Sequence, residues 1–414
     1  MNSVRAMLRG LKSIVRANRL LAAGFLVFIG LGLSACGGGF DLGVGDWFDG
    51  NESNTPGVTS EDLAALSKGG AKIALLLPLS ANGGAADVAR ALKEAGELAV
   101  FEAGQAGIVL TTKDTLGTPA GAQAAAQAAI NEGAELIIGP LFSSSVKAVA
   151  PIAQGANVPV IAFSTDRNVA TQGVYLLSFL PDLEVDRVIE HAVASGRRNF
   201  AALVPKSPYG AVVERALVTA AKKRGAKIVA VQRYARNEQA LQAPAKTIAR
   251  AVLDGSKNVQ GLLVAEGGNL LRSIDSVFAQ EGVNGSNVKL LGTGLWNETG
   301  VNSLTSIVGG WYAGPPPSAK SQFGVRFRNA YGREPPRLAS LAYDAVSLSI
   351  ALARFPPDQR FTAAQLTNPE GFSGVDGLFR FRSNGLNNRG LSVMEVTGQG
   401  PREVSTAPPR FQGS

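Results

Sequence analysis

From Lys72 onwards, short runs of apolar residues alternate with longer segments whose apolar residues recur at helical spacing. The first run, Ile73 to Leu77, ends at a proline, and a later one, Leu136 to Ile138, ends at Gly139-Pro140 and is followed by three serines and a helical segment. Continuous apolar runs of strand length are typical of strands buried on both faces. Strands that alternate with helices form parallel sheets covered by helices. The sequence therefore predicts an α/β fold.

The alternation begins again after residue 181, and a chain of this length exceeds the usual size of one hydrophobic core. We therefore expect two Rossmann-like lobes joined by crossing segments, one near Pro181 and a return crossing near the three prolines at 315–317. Two strand-like runs, 377–382 and 391–396, predict a hairpin that closes the second lobe. The predicted domains are lobe 1 from 71–181 and 313–372, lobe 2 from 182–312 and 373–397, and a disordered tail from 398–414.

The first 35 residues have the pattern of a secretion signal. A basic stretch without acids precedes an apolar run, Leu20 to Leu33, that is too short to span a bilayer. The run ends in Leu33-Ser34-Ala35-Cys36, which resembles a bacterial lipoprotein box, and Cys36 is the chain's single cysteine. We predict a signal peptide at 1–35, lipidation of Cys36, and a flexible Gly- and Ser-rich tether at 36–70. The residue after Cys36 is Gly37 and not aspartate. In the lipoproteins that this segment resembles, that pattern permits sorting to the outer membrane. We therefore expect the protein to be anchored at the periplasmic face of the outer membrane.

The formal charge of the chain, +8, owes much to this signal. Removing its five basic residues lowers Lys+Arg from 40 to 35 against 32 Asp+Glu, which leaves +3. A charge this small gives no reason to expect a nucleic-acid partner.

The motifs that mark common enzyme classes do not occur in the sequence. One cysteine and one histidine, His191, cannot build a Cys/His metal cluster, and no nucleophile elbow or phosphate-binding loop is present. His191 falls on the polar side of its helix and is predicted to be exposed. We expect no catalytic residues, no metal and no cofactor.

The order of elements resembles the type I periplasmic binding fold of leucine and branched-chain amino-acid receptors. The resemblance covers about residues 71–397 and rests on four segments: Lys72 to Ser80, Ile138 to Ser145, Pro159 to Ala162, and Tyr209-Gly210. It implies two lobes that close over a ligand in the cleft between them.

The resemblance also implies a ligand-binding cleft. On lobe 1 the matching residues are Ser80, Ser143, Ser144, Ser145, Ala162, Ser164 and Thr165, and on lobe 2 they are Tyr209, Glu266 and Trp296. Segment Gly294 to Trp296 falls where the receptors place an acid for the ligand's ammonium group, yet it contains none. The nearest carboxylates are expected to be Glu298 and, from another loop, Glu266, so a free amino acid is less expected here unless Glu266 substitutes.

Within that superfamily, the lipoprotein box, the tether and the segment Gly374 to Phe381 resemble the penicillin-binding protein activator lipoproteins. That branch implies a peptidoglycan synthase as partner and regulation of cell-wall synthesis as the function. The alternative is a solute receptor of an ABC importer for branched-chain amino acids or another small polar ligand.

Two groups of residues outside the cleft are also candidates for contact with a partner. Trp296, Trp311-Tyr312 and the prolines at 315–317 are possible exposed contacts, although packing at the lobe junction is the favoured interpretation. A basic run, Arg326, Arg328, Arg333 and Arg337, could meet an acidic partner or glycan, although a solvated face is favoured.

Overall fold

The computed structural model describes residues 70–104, 107–298 and 300–411. The predicted signal peptide, Cys36 and all of the predicted tether before Gly70 lie outside the described residues. Among the helices that are described, none is both long enough and apolar enough to cross a membrane.

Lobe 1 is built on a five-stranded parallel sheet with the order β2-β1-β3-β4-β5. Its strands are β1 (Ala71–Leu77), β2 (Ile108–Asp114), β3 (Leu136–Ile138), β4 (Val160–Ala162) and β5 (Val174–Leu176). The connecting helices are α1 (Gly84–Ala103), α2 (Pro119–Asn131) and α3 (Ser143–Gly155). The apolar run of β1 is buried from Ile73 to Leu77 because helices cover the sheet on both faces, as the sequence predicted.

Lobe 2 is built on a seven-stranded sheet with the order β15-β14-β10-β9-β8-β6-β7. Five strands are parallel: β6 (Asn199–Pro205), β7 (Lys227–Tyr234), β8 (Gly261–Val264), β9 (Lys289–Gly292) and β10 (Trp311–Gly314). Their helices are α4 (Pro181–Ala194), α5 (Pro208–Lys223), α6 (Glu238–Leu253) and α7 (Gly268–Glu281). The edge is completed by two antiparallel strands, β14 (Ser392–Thr397) and β15 (Gly400–Ser405).

After β10 the chain returns to lobe 1. Helices α8 (Pro317–Tyr331) and α9 (Ala339–Leu352) pack on α1, and α10 (Ala363–Leu366) follows. A small antiparallel sheet of β11 (Phe372–Gly374), β12 (Gly377–Phe381) and β13 (Asn387–Arg389) then buries its phenylalanines in the core that β1 and α9 share. The α/β class with two parallel-sheet lobes and crossing segments is therefore confirmed.

Two details of the predicted second lobe are wrong. The runs 377–382 and 391–396 do not pair with each other, because β12 pairs with β11 and β13 whereas β14 pairs with β10 and β15. The alternating side chains of Phe379 and Phe381 hold β12 in the lobe 1 core, so segment 373–390 lies with lobe 1. The tail from 398 is also not wholly disordered, since residues 400–405 form β15.

We expect Phe379→Ala to destabilise the protein by about 3–5 kcal/mol, the usual cost of removing a buried phenylalanine. Phe379 is fully buried and its ring centroid lies 5.7 Å from that of Phe372 and 5.8 Å from that of Phe381. Phe101→Ala is the matched control, because Phe101 is 82% exposed. Urea denaturation followed by circular dichroism gives both free energies of unfolding. Equal effects of the two substitutions would show that the small sheet does not belong to the lobe 1 core.

Candidate functional site

The carboxyl ends of the lobe 1 strands carry several of the predicted hydroxyl groups. Ser80, just after β1, donates from its hydroxyl and its N–H to Asp114 at the end of β2. Burial alone would raise the pKa of Asp114, but the hydrogen bonds from Ser80 and Leu116 hold it below its usual value. The Ser80 hydroxyl and the Asp114 carboxylate therefore hold each other in place at the carboxyl ends of β1 and β2.

The three serines at 143–145 form the first turn of α3 and do not cap it. The capping position is held by Phe142, which has no side-chain hydrogen bond to offer. The first N–H groups of a helix have no partner within the helix, so this turn presents free donors together with hydroxyl groups. Ser144 is exposed, Ser143 is half-buried, and Ser145 is fully buried with a hydroxyl that has no hydrogen-bond partner among the described residues.

The remaining lobe 1 candidates have mixed surroundings. Ala162 is the last residue of β4 and is buried in the core against α2 and α3. The Ser164 hydroxyl accepts a hydrogen bond from the Asp166 N–H at 3.1 Å, and Thr165 is exposed. Of these three, only Thr165 presents an accessible hydroxyl.

On lobe 2, Tyr209 and Thr293 join the ends of two strands. Tyr209 opens α5 after β6, Thr293 follows β9, and their hydroxyl oxygens are 2.7 Å apart. Burial raises the pKa of Tyr209, and the nearby carboxylate of Glu184 raises it further. The phenol therefore stays neutral and can donate or accept a hydrogen bond.

Glu266 is buried at the end of β8 and is already fully engaged. Its carboxylate accepts hydrogen bonds from the Tyr234 hydroxyl at 2.7 Å, the Arg236 guanidinium at 3.0 Å and the Gly267 N–H at 3.2 Å. Glu298, which follows segment Gly294 to Trp296 in the sequence, is exposed and accepts a hydrogen bond from the Gly268 N–H at the start of α7. Glu266 is thus neutralised by the chain itself.

An acid that the sequence did not predict stands beside Gly294. Glu184, in the first turn of α4, is 3% exposed. It accepts hydrogen bonds from the Gly294 N–H at 2.9 Å and from Nη2 of Arg337 at 2.6 Å. A Cβ atom on Gly294 would overlap both the carboxylate and the guanidinium, so the glycine makes room for the pair. Burial raises the pKa of Glu184 and Arg337 opposes that shift.

Trp296 is not part of this polar surface. It is 1% exposed and its ring lies against Gly292 and Gly310, where any Cβ atom would overlap it. Trp311 and Tyr312 are buried as well, so these three aromatic residues are not exposed partner contacts. Trp296 and Tyr312 instead line a separate cavity of about 220 Å³ within lobe 2.

The basic run before α9 is partly exposed and is paired with acids of this chain. Each of its arginines forms an ion pair with an acid of this chain: Arg326 with Glu102, Arg328 with Glu334, Arg333 with Glu94, and Arg337 with Glu184. Two of these pairs hold α8 and the loop after it to α1.

His191 also differs from its prediction, because it is half-buried with its ring centroid 4.5 Å from that of Trp311. Among the described residues no group of three or more His, Cys, Asp or Glu side chains is placed to hold a metal.

These contacts bring Tyr209, Thr293, Glu184 and Arg337 together where the two lobes meet, with Glu266 and Arg236 beside them. The family model for periplasmic binding proteins matches residues 70–401. The chain belongs to the periplasmic binding protein family. Membership implies a periplasmic location, and the members of this family are solute-binding proteins and not enzymes. A search of curated proteins found no match.

Solved structures of this family resemble the chain in fold. A solute-binding protein from R. palustris in complex with benzoate is 18% identical, with a TM-score of 0.61 over 83% of this chain and 98% of that one. A branched-chain amino-acid ligand-binding protein from Burkholderia xenovorans is 17% identical, with a TM-score of 0.67 over 82% and 96%. A substrate-binding protein from Desulfitobacterium hafniense in complex with Leu is 20% identical, with a TM-score of 0.62 over 81% and 99%.

A second buried charge cluster lies beneath the site. Asp344 in α9, Asp376 between β11 and β12, and Arg389 at the end of β13 are all at least nine-tenths buried. Arg389 donates to the Ser178 carbonyl at 3.2 Å in the first crossing segment. Burial and the nearby Asp376 raise the pKa of Asp344 to about 7, and Arg389 opposes that shift.

We expect the contribution of Asp344 to the stability of the protein to fall as the pH rises from about 4 to about 7. An acid whose pKa is raised by folding binds its proton more tightly in the folded state, so the contribution is present at low pH and is lost as the carboxyl ionises. Asp344→Asn should remove this part of the pH dependence, because an amide oxygen can still accept the 2.8 Å hydrogen bond from the Val375 N–H. Urea denaturation between pH 4 and 8 measures it, with Asp87→Asn at the exposed start of α1 as control. An unchanged pH profile in Asp344→Asn would contradict the assignment.

Proposed function

We propose that the two lobes bind a small solute with a carboxylate group and close over it, and that the protein serves an ABC importer. The observation that carries this proposal is the first turn of α3. It combines free N–H groups, two accessible serines and the fully buried, unpartnered hydroxyl of Ser145. A buried hydroxyl without a partner costs about 1–3 kcal/mol. A helix N-terminus favours an anionic group, so a carboxylate bound there would satisfy these donors.

Two of the similar proteins support the same chemistry. The R. palustris protein is in complex with benzoate and the D. hafniense protein is in complex with Leu. Benzoate and leucine share a carboxylate and little else. A site in which lobe 1 supplies donors to that carboxylate, while lobe 2 contacts the rest of the ligand, suits both compounds.

A binding experiment tests this proposal. We expect one or more small organic acids to raise the melting temperature of the purified protein, by an amount equivalent to about 2.7 kcal/mol when the ligand is at 100 times its Kd. Ser145→Ala should weaken that ligand about tenfold or more, since a hydrogen bond to a charged group contributes about 1.5–3 kcal/mol. It should not destabilise the ligand-free protein and should stabilise it by up to about 1–3 kcal/mol, because the unpartnered hydroxyl is removed.

The control for this experiment is Ser349→Ala. Ser349 is also fully buried, but its hydroxyl donates to the Ala345 carbonyl at 2.7 Å within α9. This substitution should leave the affinity unchanged. No thermal shift with any acid in a broad panel would count against solute binding.

Activation of a peptidoglycan synthase is the second candidate function. It is supported by the lipoprotein box and by segment Gly374 to Phe381, which resembles the activator lipoproteins. In this segment Gly374 leaves room for the Asp344 carboxylate, and Phe379 and Phe381 fill the lobe 1 core. These residues therefore also have a packing role. Retention of a detergent-solubilised synthase by the immobilised protein, without any thermal shift from acids, would favour this candidate.

Both candidate functions are compatible with a lipid anchor at Cys36 that holds the domain at the periplasmic face of the outer membrane. We expect wild-type protein to sediment with membranes and Cys36→Ala to move into the soluble fraction, because a protein without acyl chains loses its hydrophobic attachment. Fractionation followed by immunoblotting measures this. Ser34→Thr before the cleavage point is the control for general effects on secretion. Continued sedimentation of Cys36→Ala with membranes would show that another segment anchors the protein.

A further inference from the structure

We infer that the cleft selects organic acids that lack an ammonium group, and that Arg337 is the residue that determines this specificity. The inference rests on the proposed solute-binding function and names the ligand class. It follows from the charges at the strand ends of lobe 2, where the buried carboxylates are already paired with arginines of the chain.

The pair of Glu184 and Arg337 is the centre of this arrangement. Glu184 is 3% exposed, and both of its oxygens have short contacts, 2.9 Å to the Gly294 N–H and 2.6 Å to Arg337. The Arg337 guanidinium is held on its other side by the face of Phe179, with 4.5 Å from its central carbon to the ring centroid. A ligand ammonium near Glu184 would have to displace this guanidinium or lie beside it, and like charges at such distances repel strongly in a buried site.

The other acids near the lobe 2 strand ends are also engaged. Glu266 is 1% exposed and is held by Arg236 and by the hydroxyl of Tyr234. Glu298 lies at the start of α7, where it accepts the Gly268 N–H. The two buried carboxylates, those of Glu184 and Glu266, each already have an arginine partner. A buried ammonium group would therefore form no new ion pair with them to offset its loss of hydration.

The donors, in contrast, are not all used. Arg337 has a buried Nε without a hydrogen-bond partner, and Ser145 has a buried hydroxyl in the same condition. Tyr209 is kept neutral by burial and shares a hydrogen bond with Thr293. An anion gains hydrogen bonds from such groups, whereas an ammonium group beside Glu184 or Glu266 meets a carboxylate that already has a cation.

Pairs of acids that differ only in the ammonium group test this inference. Calorimetry with wild-type protein compares 4-methylpentanoate with leucine, and 3-phenylpropanoate with phenylalanine. We expect the acid without the ammonium group to bind at least about tenfold more tightly in at least one pair, which is ~1.4 kcal/mol. Arg337→Gln leaves Glu184 without its cation, so the preference should shrink or reverse.

Three variants serve as controls. Arg337→Lys keeps the positive charge and should keep the preference. Arg333→Gln breaks an ion pair with Glu94 on α1 and should also keep it. If Arg337→Gln does not fold, the double variant Glu184→Gln with Arg337→Gln replaces both buried charges with amides, and it should bind the two members of each pair with similar affinity.

The outcomes separate this inference from the proposed function. Equal or tighter binding of the amino acids by wild-type protein would overturn the inference while leaving solute binding intact. An unchanged preference in the arginine-to-glutamine variants would overturn the role of Arg337. Binding of no acid by wild-type protein would overturn the proposed function and, with it, this inference.

Discussion

The carboxylate of Glu184 is the contact on which the junction of the two lobes depends. It belongs to lobe 2 through α4, and its guanidinium partner, Arg337, belongs to the loop that precedes α9 of lobe 1. Removing one member of a buried ion pair costs about 3–5 kcal/mol, because the other charge is left without compensation. Any movement of the lobes that keeps this pair intact must therefore pivot close to it. The junction can therefore act as a fixed base for movement of the two lobes.

The crossing segments add to this base. The Phe179 ring, just before α4, lies within 4.5 Å of Arg337 and 4.6 Å of Arg389, measured from each guanidinium carbon to the ring centroid. Arg389 in turn lies close to the buried acids Asp344 and Asp376. Charges of both signs are thus gathered around the points where the chain passes between lobes. Buried charges are stable only in a narrow range of geometries, so this network restricts the relative positions of the two lobes more than apolar packing alone would.

The sequence predicted the parts of the fold that depend on local pattern. Apolar runs such as Ile73 to Leu77 and the helical spacing of the segments between such runs are local signals, and they predicted the α/β class. It did not predict β15, which is polar, contains Pro401 and lies at a sheet edge where no apolar run is required. It also missed the partners of the basic run and the acid beside Gly294. Glu184 and Arg337 are 153 residues apart, and no periodicity records a contact between positions so distant.

That missed contact also explains why similarity of fold does not determine the ligand. Parallel strands ending at helix starts offer N–H groups and hydroxyls to a carboxylate in any member of the family, since this property follows from backbone geometry. Recognition of an ammonium group needs something more, a carboxylate that has no other cation. Here Gly294 lacks a side chain, and the space beside it is filled by Glu184 together with Arg337. The carboxylate of Glu184 is present, but it already forms an ion pair with the guanidinium of Arg337. We infer that one side chain, that of Arg337, which is 22% exposed, is enough to change the class of ligand while the two lobes and their sheets stay the same.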